Sequence, residues 1–111
     1  MIRPILREQL RLALIEQSPV TLIEALGAGF YADAHLPGAI NIPPDQVDQL
    51  ACLLPSDHTA PIVVYCSGTC TQSDMTALRL RELGYRNVAV YRGGKEDWVE
   101  HGLPVERGTE V

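Results

Sequence analysis

A chain of 111 residues with 46% hydrophobic residues has room for one domain with a genuine core and none for a second. Its formal charge of −5 at pH 7, with no basic block to offset it, argues against a nucleic-acid or anionic-membrane surface. No apolar run approaches the ~18 residues of a membrane span, and three cysteines without framework spacing point to free thiols in a reducing cytoplasm.

The opening "MIRPILREQLRLALIEQ" is broken by charges and lacks the uninterrupted apolar stretch of a secretory signal. Leu6, Leu10, Ala13 and Leu14 fall at helical spacing with charged residues between them, which predicts an amphipathic helix ending near "QSP". "VTLIEAL" (20–26) reads as a short buried strand. In the turn-rich segment that follows, "GFYADA" has the length of one or two helical turns, and bracketing prolines frame a short strand at 39–42. "DQVDQLACLL" predicts a second helix with Val47, Leu50, Ala51 and Leu54 inward, and Cys52 on the same side.

"IVVY" (62–65) is the strongest strand, a continuous apolar run of the kind found in parallel sheets covered on both faces. After a polar loop, "SDMTALRLRELGY" is a helix with Ser73 as N-cap and Gly84 past its last turn. "NVAVY" is another strand, "GGKEDWVEHG" a glycine turn opening a short helix, and "LPVE" the closing segment. Strands alternating with helices mean an α/β fold: one domain over 1–111, a central, mostly parallel sheet of about five short strands, and helices on both faces.

In such sheets ligands bind beyond the carboxyl ends of the strands, where Cys66 lies. The loop from Cys66 to Thr71 runs into a helix N-terminus, whose unpaired amides and dipole suit an anion. Gly68 permits a tight curl, and Ser67, Thr69 and Thr71 add hydroxyl donors. A thiol so placed is expected to ionise more easily and to act as a nucleophile, for example by accepting a sulfur atom as a persulfide. The plainer alternative is a cysteine that ends a core strand by packing alone. Spacing leaves the two open.

Three segments, in order, resemble the single-domain rhodaneses: "HLPGAINIP" (35–43), "VYC" followed by its short polar loop, and "GGKEDWVEHGLPV" (93–105). The resemblance runs from about Leu6 to Glu106. It implies a sulfurtransferase whose Cys66 cycles between thiol and persulfide, with Ser67, Gly68, Thr69, Cys70 and Thr71 lining an anion cradle. It further implies a small sulfur-containing anion or a protein persulfide as donor, a thiol or cyanide as acceptor, and no cofactor; a metal is not expected, because Cys66 and Cys70 have no second pair and no histidine near in sequence.

This chain departs from the pattern in three places. Many rhodaneses end a strand in Asp-Val-Arg, whose arginine pairs with a glutamate one helical turn later; here stand Glu24, Ala25 and Leu26, with Phe30 at the glutamate's place. That reads as a charged pair exchanged for packed apolar residues. The loop, which commonly carries one or two arginines, has none, so thiosulfate is expected to be a poor donor. The loop is also about one residue longer and contains Cys70, which is a resolving thiol, a second sulfur acceptor or a space-filler. In length it is similar to the loops of phosphatase and arsenate-reductase relatives, but these need an arginine for their oxyanion. A binding or regulatory module without turnover is the other alternative.

Of the remaining residues, Cys52 is expected in the core and His35 hydrogen-bonded to the turn at Pro37–Gly38. Trp98 is expected to anchor the closing segment, and His58 and His101 to lie on the surface. Gly93 and Gly94 would bring the loop after "VAVY" near Cys66, with Arg92 beside them as a substitute for the missing loop charge.

Overall fold

A computed structural model describes residues 2–68 and 71–108. In chain order these form β1 (Arg3–Pro4), α1 (Arg7–Ile15), β2 (Thr21–Glu24), α2 (Ala28–Asp33), β3 (Ile40–Asn41), β4 (Ile62–Tyr65), α3 (Gln72–Glu82), β5 (Val88–Tyr91) and α4 (Gly94–Glu100). The strands make one sheet in the order β1-β5-β4-β2-β3, and every pairing is parallel. No described helix is long and apolar enough to cross a membrane.

Two-residue periodicity along the strands sorts the core into two layers. Ile23, Ile62, Val64, Val88 and Val90 face one way and pack with Ala77 and Leu80 of α3. Leu22, Val63, Tyr65, Ala89 and Tyr91 face the other, against Leu10 of α1 and Trp98 of α4. All four residues of β4 are buried because β4 is flanked on both edges and covered on both faces. β1 went unforeseen in the sequence. It is a two-residue edge strand, where Pro4, which has no N–H to give, does no harm.

Leu6, expected inward, is the N-cap residue of α1 and is exposed. The helix expected over 45–54 is instead two tight 3₁₀ turns, Pro44–Gln46 and Ala51–Leu53. The break keeps Val47 and Leu54 buried. It turns Cys52 outward, so that residue is exposed and not part of the core.

Candidate active site

Cys66 follows β4 directly, at the carboxyl edge of the sheet and between the ends of β2 and β5. The chain leaves β2 toward β3 and β4 toward β5, in opposite directions across the sheet, and such a switch opens a crevice. Cys66 is 2% exposed yet belongs to neither apolar layer. Its sulfur, expected as a free thiol, is instead disulfide-bonded and lies 3.5 Å from Oγ of Ser73. A sulfur without a proton can only accept, so the hydroxyl donates.

Ser73 is therefore not the N-cap. Thr71 takes that place, with no side-chain capping bond, and α3 begins at Gln72. Ser73 sits in the first turn, 3% exposed, and points its hydroxyl at the cysteine. Of the expected cradle, Ser67 and Gly68 are half-buried and Thr71 is exposed; Thr69 and Cys70 lie outside the described residues.

The head of α4 holds the start of this loop by its main chain. The Lys95 amide donates to the Cys66 carbonyl and the Glu96 amide to that of Ser67, each at 2.8 Å. Gly94 makes the approach possible. A Cβ built on it would fall 2.6 Å from the Cys66 carbonyl oxygen and 2.7 Å from the Gly68 amide nitrogen, and its φ of +68° is the left-handed conformation that glycine tolerates. Gly94 thus does what the sequence suggested, whereas a Cβ on Gly93 would meet the side chain of Asp97 and not the loop. Glu96 stands over the loop as well: a Cβ on Gly68 would meet its Oε1 at 2.9 Å.

Beneath the loop lies an ion pair that the spacing of residues did not announce. Glu24 ends β2 with no exposed surface. Its Oε1 accepts from the Tyr65 hydroxyl at 2.7 Å, and its Oε2 is 3.1 Å from Nζ of Lys95. The same ammonium donates to the Phe30 carbonyl at 2.9 Å and to that of Ala34, so all three of its protons are used. Charge is retained by other residues, and the expected apolar exchange is only half right: Leu26 is buried, whereas Phe30 is 66% exposed. Burial first, and then the Glu24 charge, push the Tyr65 hydroxyl far above its ordinary range. Tyr65 stays a neutral donor, and its oxygen accepts the Leu36 amide at 3.0 Å.

Arg92, considered for the missing loop charge, is bound to Asp74 of α3 at 3.0 Å. His35 does not reach the Pro37–Gly38 turn. It stacks on Tyr31 with ring centroids 3.8 Å apart, and its Nδ1 pairs with the Tyr31 carbonyl at 2.8 Å. The turn is met by Glu106, whose Oε1 accepts the Gly38 amide at 3.1 Å. Trp98 does anchor the closing segment, donating to the Pro104 carbonyl at 2.7 Å. His58 and His101 are on the surface.

Beside the loop, Ser67 borders an open cleft of about 670 Å³. Phe30 of α2, Val99 of α4 and Val105 give it apolar walls; Asp33, Glu96 and Glu100 give it an acidic rim, with Arg107 at one side. Among the described residues, no group of His, Cys, Asp or Glu converges as a metal site requires.

A family model described as a rhodanese-like domain matches residues 7–101. The chain is 33% identical over 96 residues to the HTH-type transcriptional regulator Rv0324 of Mycobacterium tuberculosis, covering 86% of this chain and 42% of that protein. It thus spans less than half the length of that curated relative. Among solved structures, the rhodanese-like domain of the Anabaena Alr3790 protein superposes with a TM-score of 0.82 at 26% identity, over 96% of this chain and 80% of that one. A rhodanese with anions from E. coli gives 0.67 at 29% identity, over 80% and 99%. The thiosulfate sulfurtransferase of Pseudomonas aeruginosa gives 0.83 at 22% identity over 97% of this chain and 21% of that one, a likeness of fold.

Proposed function

The chain belongs to the rhodanese-like domain family, and from that premise we propose that it is a sulfurtransferase working through a persulfide on Cys66. One observation carries the reading. Cys66 is set at the carboxyl end of the central strand, with a buried hydroxyl on its sulfur and its carbonyl fixed by the head of α4.

The reaction starts from the reduced sulfur, so a dithiol must first open the disulfide. The Cys66 thiolate attacks the outer sulfur of a donor R–S–S⁻; a bond forms between that sulfur and Sγ, the old S–S bond breaks, and R–S⁻ departs. The persulfide anion keeps its charge near the Ser73 hydroxyl and the amides at the head of α3. An acceptor thiolate or cyanide then attacks the outer sulfur and regenerates the Cys66 thiolate. Ser67, Gly68, Thr69, Cys70 and Thr71 are proposed to line this space.

The test is mass spectrometry of the dithiothreitol-reduced protein after incubation with a polysulfide, with thiosulfate, and with a persulfidated protein. One added sulfur atom, absent in Cys66→Ser, is expected with the polysulfide and the protein persulfide. If no donor adds sulfur, the proposal fails.

A second reading is a binding or regulatory module without turnover. The match to a transcriptional regulator and the disulfide-bonded sulfur favour it. Reaction of the reduced protein with iodoacetamide at pH 6 separates the two, since an unactivated thiol reacts slowly there. Phosphate or arsenate chemistry has less support: the 66–73 loop contains no arginine, and Arg92 is committed to Asp74.

A further inference from the structure

We infer that the cleft beside Ser67 seats the sulfur-bearing partner, and that this partner is a cationic polypeptide segment whose cysteine carries the sulfur to be transferred. The inference rests on the sulfur-transfer reading above and supplies its substrate class.

Position comes first. Ser67 borders the cleft and is bonded to Cys66, so a chain lying there runs one residue from the proposed catalytic cysteine, itself 2% exposed. Shape comes second. Pockets for small molecules enclose most of their ligand's surface, whereas this cleft is an open trough. Two large apolar side chains on its walls stand in water, Phe30 at 66% and Val99 at 52% exposure. An extended segment laid across them covers both.

Charge decides the rest. The rim carries the carboxylates of Asp33, Glu96 and Glu100, none in an ion pair with any described residue. Lys95 lines the same cleft, but its protons are spent on Glu24, Phe30 and Ala34. Arg107 is the opposing cation, and its Nη1 caps the Asp33 carbonyl at 2.8 Å. A dianion such as thiosulfate entering along the cleft meets Glu96, whose carboxylate overhangs Gly68. A lysine- or arginine-flanked cysteine is drawn in by the same field.

Thiol–disulfide exchange tests this without relying on sulfur transfer. Reduced protein in a Cys52→Ser background is mixed at low ionic strength with three mixed disulfides of thionitrobenzoate: a peptide with lysines and leucines around one cysteine, its glutamate counterpart, and cysteamine. Thiolate attack forms a protein mixed disulfide and releases coloured thionitrobenzoate; the signal lost on adding Cys66→Ser is the one counted. The lysine peptide is expected to react on the order of tenfold faster than the glutamate peptide and several-fold faster than cysteamine. Glu96→Gln/Glu100→Gln should narrow the peptide ratio, and 1 M salt should abolish it. Equal peptide rates overturn the charge assignment, and cysteamine matching the lysine peptide overturns the polypeptide. A protein that discriminates the peptides but never gains sulfur would refute the transfer reading and leave the docking cleft standing.

Discussion

The ammonium of Lys95 lies 3.1 Å from Oε2 of Glu24, while the amide of the same lysine holds the carbonyl of Cys66. One residue joins the end of β2, the carbonyls of Phe30 and Ala34 and the start of the candidate active loop. Glu24 has no exposed surface, so without the lysine its charge would be stranded.

Lys95→Met is therefore expected to cost ~3–5 kcal/mol in urea unfolding, the usual penalty for removing one partner of a buried pair. Glu24→Gln/Lys95→Met should recover much of the loss, because glutamine still accepts the Tyr65 hydroxyl and carries no charge. A double variant as unstable as the single one would mean that the lysine stabilises by some route other than Glu24.

Gly94 and Gly102 have nearly the same backbone, φ +68° and +70°, but a Cβ on Gly102 meets nothing within 4 Å. Alanine at either position should cost ~1–3 kcal/mol for the left-handed conformation. Only Gly94→Ala should also displace Cys66 and Ser67 and slow iodoacetamide labelling of the reduced cysteine. Equal labelling in the two variants would show that close packing of α4 is not what sets the loop.

Ser73→Ala removes the hydroxyl at the sulfur. Labelling of reduced Cys66 at neutral pH should slow by about tenfold or more, the worth of one hydrogen bond to a charged acceptor, with stability changed by less than ~1 kcal/mol. Unchanged labelling would leave the serine a packing role alone.

Asp97 accepts the Tyr91 hydroxyl at 2.6 Å and pairs with Arg7 at 3.1 Å; the tyrosine first, and then the arginine, hold its carboxyl below the ordinary range. A depressed folded-state value stabilises the protein above the unfolded value, near 3.9, and the benefit is lost as pH falls through the folded one. The stability gap between wild type and Asp97→Asn should close on acidification below about pH 4. A gap independent of pH would sever the link.

The central strand and the helix after it were plain in the sequence because their signals are local: "IVVY" could only be a buried strand, and Gly84 marked the end of α3. What escaped was tertiary. Nothing in the spacing tied Glu24 to a lysine 71 positions away, although a carboxylate inside an otherwise apolar strand does announce a missing cation. Ser73 was legible as a residue at a helix start; that it faces sulfur and not its own backbone depends on how α3 lies against β4. The two 3₁₀ turns read as one helix in the sequence because their apolar residues keep a helical rhythm, although Pro44 opens only the first of them.

His35 and Glu106 exchange backbone hydrogen bonds at 2.8 and 2.7 Å, and this clasp lays Val105 and Arg107 along the cleft. One bank of the trough is thus borrowed from sequence far beyond the helix opposite. Loosening that clasp would move this bank, and through Ala34 and Leu36 on either side of His35, bonded to Lys95 and Tyr65, it would also reach the helix and strand that hold Cys66. The wall of the cleft and the support of the sulfur are thus tied together through three consecutive residues, 34 to 36.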